Sequence, residues 1–472
     1  MTANYLIKCS ACGAVTYLKY QVGFVDRHPI RYKCTCGVTI RCFRNKDKIE
    51  TENCEVLSSE EITDNQLSPA QIVFSSSELL TLPPQPYSSP FSNFIPGPFI
   101  FESGLLDIER FEKEMQEALS YKTEGLKHVR SCNELFQAKN YELFDKIARE
   151  NLKLDDDYFP KKNIADRIRT LNYINHLQFF REDIHGRLLK TQDYYRKAFD
   201  AHREQTFSLA MFFHRIGKLE QFRNNTTKLA NNVNDKLEYL IPAISIDYYK
   251  GDVREVLDSD KFLTTVSFED VKSLYEDLYE HILTTAILAI GFDNILVRGN
   301  FYTIRADSCI KNKAKNLEDI TKITKKGWIL NYIDEGNGTE PIQTLICDLM
   351  NQGVRNSIGH FDYEEVPGTY GQKIRFLDSV KPDKSFEISL KEICYDIWQM
   401  YKCLAIIYEL VYRLETLWFA VKGITVSSYK AVVPGYDFEP KYYRRPLKIY
   451  PNDPCPCKSG LKYKKCCGRA NN

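Results

Sequence analysis

The chain reads as a mainly α protein: a helical bundle and a helical middle region, flanked by a small β module and a short C-terminal cysteine knuckle. Three observations predict this. Apolar residues recur at three- and four-residue spacing from Leu105 to about Leu257 and again from Ser267 to Val421. Alternating segments such as Val15, Tyr17 and Ile30, Tyr32 fill the first 60 residues. Ten of the fifteen cysteines lie at the two ends of the chain. A length of 472 residues exceeds what one core holds, so several domains follow.

In chain order, residues 1–60 form the β module, with a hairpin between two cysteine pairs. Residues 61–100 read as a Pro/Ser-rich linker that cannot build a core, with Pro69, Pro83, Pro84, Pro86, Pro90, Pro96 and Pro98 among serines. Residues 101–262 are helical, with long amphipathic helices over Ile164–Phe180 and Tyr194–Phe222. Residues 263–423 form a second helical domain. Ser267 with Asp270 caps a helix running to Ile290, and Thr339-x-Pro341 opens another that ends about Gly359. A hairpin follows with Pro367-Gly368 at its turn, and a long helix over Ile388–Val421 closes the block. Residues 424–450 are a proline- and tyrosine-rich connector, and 451–472 the knuckle.

A net charge of +1 excludes global electrostatic steering, so any nucleic-acid footprint is local. Met1–Lys8 lacks an apolar run of signal-peptide length, and the apolar stretch Ile388–Val421 carries seven charged residues. A cytoplasmic protein with no membrane partner is expected. In an unexported chain, short Cys-x-x-Cys and Cys-x-Cys spacings favour metal over disulfide.

The tail reads Cys455-Pro-Cys457, a Ser459-Gly460 turn, and Cys466-Cys467. Zinc takes four such thiolates in a tetrahedron, and so short a segment must draw its folding energy from the metal. At the other end, Cys9-Ser-Ala-Cys12-Gly13 is a zinc-ribbon knuckle, and Cys34-Thr-Cys36-Gly37 is its shorter second half, with Cys42 an alternative ligand. Two structural zinc ions are therefore expected. Between Lys422 and Asn472 eleven Lys/Arg stand against three acids. Arg444, Arg445, Lys462, Lys464 and Lys465 either form a solvated basic tail or touch nucleic-acid phosphates.

The chemistry-bearing string is Arg355-Asn356-Ser357-Ile358-Gly359-His360. Imidazole can move the protons of RNA cleavage near neutral pH, and a guanidinium can clamp the phosphorane-like transition state. Five positions put the two side chains about 140° apart on an unbroken helix, so Gly359 is expected to break it. The looser pattern of Arg, four to six residues, then His recurs at Arg169…His176 and Arg196…His202, read as helix-surface residues. A bland reading has His360 as a helix C-cap and Arg355 paired with Asp348.

Two resemblances add to this. The tail resembles the SEC-C motif, first named for the tail of the bacterial preprotein-translocase ATPase. That implies a docking module for a protein partner, the ribosome or nucleic acid rather than a catalyst. The Arg355–His360 string resembles the signature of the HEPN superfamily, Arg-(Asn/His/Asp)-x3-His at a helix end. That implies a HEPN helical bundle over roughly Ser267–Val421 and a homodimer that cleaves single-stranded RNA with no catalytic cofactor, as a toxin or anti-phage effector. His360 would be acid/base, Arg355 the clamp and Asn356 the supporting polar group. The alternative is a non-catalytic, zinc-bearing RNA-binding or adaptor protein.

Overall fold

A computed structural model describes residues 2–45, 48–59, 69–88, 98, 102–152, 163–179, 182–335, 346, 349–377, 382–424, 452, 455 and 459–465. The first part is β: β1 (Thr2–Cys9), β2 (Val15–Gln21), β3 (Arg27–Lys33), β4 (Thr39–Asn45), β5 (Lys48–Glu52), β6 (Cys54–Ser59), β7 (Ala70–Ser76) and β8 (Gln85–Pro86). Helices then dominate: α1 (Ile108–Glu124), α2 (Leu126–Gln137), α3 (Tyr141–Glu150), α4 (Ile164–His176), α5 (Glu182–Ala201), α6 (Arg203–Arg215), α7 (Lys218–Asp235), α8 (Leu237–Ile244), α9 (Val253–Asp258), α10 (Phe268–Thr285), α11 (Ile287–Arg298), α12 (Leu317–Ile320), α13 (Gly327–Asp334) and α14 (Gln352–His360). A small sheet, β9 (Tyr363–Glu365), β10 (Lys373–Phe376) and β11 (Phe386–Ser389), precedes α15 (Leu390–Val421).

The chain divides into two compact units, one of residues 1–120, 232–278 and 351–399, the other of 121–231, 279–350 and 400–472. Each draws on separated stretches, so the 263–423 segment contributes to both.

In the first unit, β1 pairs antiparallel with β2, and Tyr5 faces Leu18. The sheet order is β6-β1-β2-β7-β8, and β3-β4-β5 form a second sheet. Alternation sends Tyr5, Ile7, Leu18 and Tyr20 of one sheet and Ile30, Tyr32 and Ile40 of the other into a shared core. Tyr32 stacks on Phe74 with centroids 4.4 Å apart.

Two expectations are corrected here. The hairpin foreseen from Val15–Tyr17 to Ile30–Tyr32 does not form; β2 pairs with β1 and β7, and β3 with β4. Nor are residues 70–81 a linker. β7 runs parallel to β2, and Val73, Phe74, Leu79 and Leu80 are buried. Ser76 is buried with its hydroxyl partnered: its Oγ lies 3.1 Å from His28 Nε2 and accepts from Thr264 at 3.0 Å. Glu78 accepts the backbone amides of Phe24 (3.1 Å) and Val25 (2.6 Å).

The capping box at Ser267 is realised, with Asp270 accepting both the Ser267 amide (2.9 Å) and hydroxyl (2.6 Å). The run Phe268–Arg298 is long and apolar enough to cross a bilayer by composition, yet 72% of its apolar window is buried inside the protein.

The second unit buries a cluster of Val129, Phe136, Phe144, Leu171 and Ile174. The foreseen helix Tyr194–Phe222 is three helices, interrupted at His202 and at Ile216–Gly217.

Candidate functional site

Cys9 closes β1 and Cys12 lies in the turn to β2; Cys34 follows β3 and Cys36 lies in the turn to β4. The turns are alike. The Gly13 amide donates to Cys9 O (3.0 Å) and that of Gly37 to Cys34 O (2.9 Å), both glycines at positive φ. This brings the four sulfurs within 4.8 Å of one another, with Cys9–Cys36 at 3.8 Å and Cys12–Cys34 at 3.6 Å. A tetrahedral site with metal–sulfur bonds of ~2.3 Å has sulfur–sulfur edges of about 3.8 Å. The cluster therefore fits a four-thiolate metal. Burial pushes the Cys9 thiol up, but hydrogen bonds from the Cys12 and Ala11 amides and from Cys12 and Cys34 outweigh it, bringing it down to about 7. Cys42 does not replace a ligand; it faces Cys54 at 3.7 Å.

In the tail, Cys455 is buried, and its amide donates to Leu461 O at 2.9 Å across the Ser459-Gly460 turn. Lys462, Lys464 and Lys465 are exposed. Cys457, Cys466, Cys467, Arg444 and Arg445 lie outside the described residues.

Arg355, Asn356 and His360 all lie on α14, which is capped by Asn351 (side chain accepting from Val354 N) and ends at His360. The helix runs unbroken through Gly359, and the reversal falls at Phe361, φ 61°. The expected break at Gly359 is thus corrected. That glycine supplies space instead: a Cβ there would lie 3.1 Å from Glu276 Oε1 and 3.5 Å from Arg355 Nη1. The Arg355 guanidinium reaches one turn along the helix to the residue before His360.

Arg355 is half-buried, with Glu276 Oε1 3.8 Å from its Nη2. Asp348, the partner considered from sequence, lies outside the described residues. Asn356 and His360 are exposed, and Phe361 is 80% exposed. The helix end is anchored by Asp362 N donating to Ser357 O (2.8 Å) and Ser357 Oγ donating to Leu377 O (3.2 Å). Sequence reasoning missed Glu276, and no spacing rule links it to Arg355. Tyr363, a mere neighbour of the motif from sequence, stacks edge-on against Phe268 and accepts from Lys272 at 2.5 Å.

The competing Arg…His pairs separate clearly from this one. Arg169 is buried, not on the surface, and His176 faces Glu409 at 3.6 Å inside the second unit. Burial pushes the Glu409 carboxyl up, but the Arg413 and His176 charges outweigh it, holding it at about 2. His202 sits between α5 and α6.

Residues 452–469 match the SEC-C motif. In that region the chain is 76% identical over 29 residues to the protein translocase subunit SecA of Carboxydothermus hydrogenoformans, and 74% over 27 residues to SecA of Pelotomaculum thermopropionicum. Each match covers 6% of this chain and 3% of the relative, so the chain spans about 3% of the length of the curated relatives it matches. No solved structure matches the chain.

Proposed function

We propose that this chain is a metal-independent endoribonuclease of HEPN type that cleaves single-stranded RNA, acting in the cytoplasm as a toxin or anti-phage effector. The observation that carries the reading is the outward-facing end of α14. His360 is exposed, Asn356 is exposed one turn earlier, and the Arg355 guanidinium lies beside Gly359. In such a site a base takes the 2′-hydroxyl proton, the freed oxygen attacks phosphorus in line, and an acid protonates the leaving 5′-oxygen. The guanidinium stabilises charge on the phosphoryl oxygens, and Asn356 orients the phosphate. Two proton transfers need two titrating groups, and one motif supplies a single imidazole, so a second copy of the chain completes the site.

On the same reading, zinc occupies Cys9, Cys12, Cys34 and Cys36, and again Cys455, Cys457, Cys466 and Cys467. Four protein ligands leave the metal no open position for water, so both ions are structural. The tail docks the nuclease, through Lys462, Lys464 and Lys465, onto RNA, the ribosome or a protein partner.

The rival is a non-catalytic RNA-binding or adaptor protein. It is favoured by Glu276, whose carboxylate competes with phosphate for Arg355. The test is cleavage of single-stranded RNA in magnesium-free buffer by the wild type and by Arg355→Ala, Asn356→Ala and His360→Ala. We expect a loss of about 10²–10⁴-fold for His360→Ala, and partial recovery when the Arg355→Ala and His360→Ala proteins are mixed. Inert wild type would favour the rival; equal cleavage by His360→Ala would remove the α14 site as the catalytic centre.

A further inference from the structure

Six cysteines fall between Cys9 and Cys54, and the metal cluster uses four. The remaining two face each other across a junction in the fold. Cys42 sits on β4, pairing with Ile30 and Thr51, and its side chain is fully buried. Cys54 opens β6, pairing with Cys9 of β1, and is partly exposed. Between them the chain leaves one sheet at Glu52, reverses at Asn53 (φ 65°) and enters the other at Cys54. The two sulfurs lie 3.7 Å apart.

This arrangement differs from that of Cys132, Cys394 and Cys403, which are buried singly in helices. It also lacks the ligand set of a further metal site, because two thiols alone leave a tetrahedral ion half-coordinated and the described metal-type cluster excludes them. A pair with one reachable and one sheltered sulfur has the layout of an attacking and a resolving thiol.

We infer that Cys42 and Cys54 are a peroxide-oxidisable dithiol, a modification site distinct from the four-thiol cluster, whose disulfide ties the two sheets together. The Cys54 thiolate attacks the O–O bond of a hydroperoxide. The sulfur gains the hydroxyl oxygen as a sulfenic acid, and the other oxygen leaves as alcohol, or as water from hydrogen peroxide. The Cys42 sulfur then attacks the sulfenic sulfur, its proton leaves with the displaced hydroxide as water, and the S–S bond forms. In sum, two thiols and one hydroperoxide give one disulfide, one alcohol and one water; two thiol equivalents of a small reductant reverse it. The bond would lock β6 against β4, beside Cys9, and close the Asn53 turn.

The experiment uses the full zinc-loaded chain, treated with one to a few equivalents of hydrogen peroxide. Readouts are intact mass, zinc content, and peptide mapping without reduction; trypsin isolates Cys42 in the tripeptide Cys42-Phe43-Arg44. We expect a mass loss of about 2 Da, a cross-link between the peptides holding Cys42 and Cys54, unchanged zinc, and full reversal by dithiothreitol. Cys54→Ser, at the more exposed position, should abolish the cross-link with zinc retained, and Cys42→Ala should trap Cys54 as a sulfenic acid that reacts with dimedone. Three results would overturn the inference: cross-links first among Cys9, Cys12, Cys34 and Cys36 with zinc release, a Cys42/Cys54 pair that stays reduced, or loss of one zinc in Cys54→Ser.

Discussion

Glu78 is the most informative single carboxyl in the first unit. It is buried in the segment whose composition suggests a linker, and burial raises its carboxyl from 4.5 to about 7 even though the Val25 and Phe24 amides donate to it. Between those two values the folded state holds a proton that the unfolded chain has released. Stability therefore falls as pH rises through that window and is level above it. At 1.36 kcal/mol per pH unit, the full span corresponds to about 3 kcal/mol. Glu78→Gln removes the titration and keeps one acceptor oxygen, enough for one of the two amides, since Val25 donates to Oε1 and Phe24 to Oε2; that fixed cost is the same at every pH. Urea unfolding of both proteins from pH 4.5 to 8.5, zinc present throughout, should show Glu78→Gln gaining on the wild type by about 3 kcal/mol across the range, mostly between pH 5 and 7. Zinc-ligand and histidine titrations are common to both proteins and cancel in the difference. A difference flat with pH would refute the reasoning, since it would mean that Glu78 titrates alike in the folded and unfolded chains.

Two further outcomes follow from other positions. Gly359→Ala should stabilise the exposed end of α14 by about 0.5–1 kcal/mol through helix propensity. Yet its Cβ would press on Glu276 Oε1 at 3.1 Å and shift this partner of Arg355, so thermal stability that is unchanged or raised should accompany reduced RNA cleavage; a raised Tm with unchanged cleavage would count against the role of Arg355. In the second unit, Arg223 and Glu415 form a buried ion pair, with burial raising the Glu415 carboxyl against the pull of Arg223. Arg223→Ala or Glu415→Ala alone should lose about 3–5 kcal/mol in urea unfolding, whereas Arg223→Met with Glu415→Leu should recover most of it.

What was legible in the sequence was local. The Ser267–Asp270 cap, the hairpin around Pro367-Gly368 and the long helix α15 each depend on residues a few positions apart, and each formed as read. The SEC-C tail, eighteen residues with its own spacing, was legible for the same reason. The misreadings were non-local. Nothing near β2 reveals that its second neighbour is β7, more than 50 residues on, and a string of serines reads as solvent-exposed until His28 and Thr264 arrive to satisfy it. Arg169 looked superficial because helical periodicity does not reveal that a polar face is buried. Gly359 was read for its backbone freedom, whereas its use is the missing side chain. The Cys42–Cys54 facing pair depends on how two sheets meet, which spacing alone does not encode.

The fold also changes what the N-terminal metal is expected to do. Read as separate segments, the zinc ribbon and the helical domain invite the view that zinc governs what the protein touches and leaves cleavage alone. Strand β3, which leads into Cys34, contradicts that separation, because it belongs to the same unit as α14. Its Lys33 is ion-paired with Glu365 of β9, the strand that follows His360. Its Arg31 is buried, lies 3.7 Å from Asp270 at the start of α10, and receives backbone support from Thr264 at 2.8 Å. α10 in turn carries Glu276, which faces Arg355. Metal coordination as proposed at the β3–β4 turn would thus hold a strand that braces both sides of the proposed site. Cys36→Ser should cost one zinc and lower RNA cleavage by about 10-fold or more, as a displaced clamp would, while Cys455→Ser should cost the other zinc and leave cleavage of free RNA within about 2-fold, since a closed docking site supplies no catalytic group. Zinc counts by plasma mass spectrometry alongside initial rates separate the two variants. A Cys36→Ser protein that has lost its metal and still cleaves at the wild-type rate would show that the path from β3 through Lys33 and Arg31 bears no strain from the site, and would leave the N-terminal zinc with a local structural role alone.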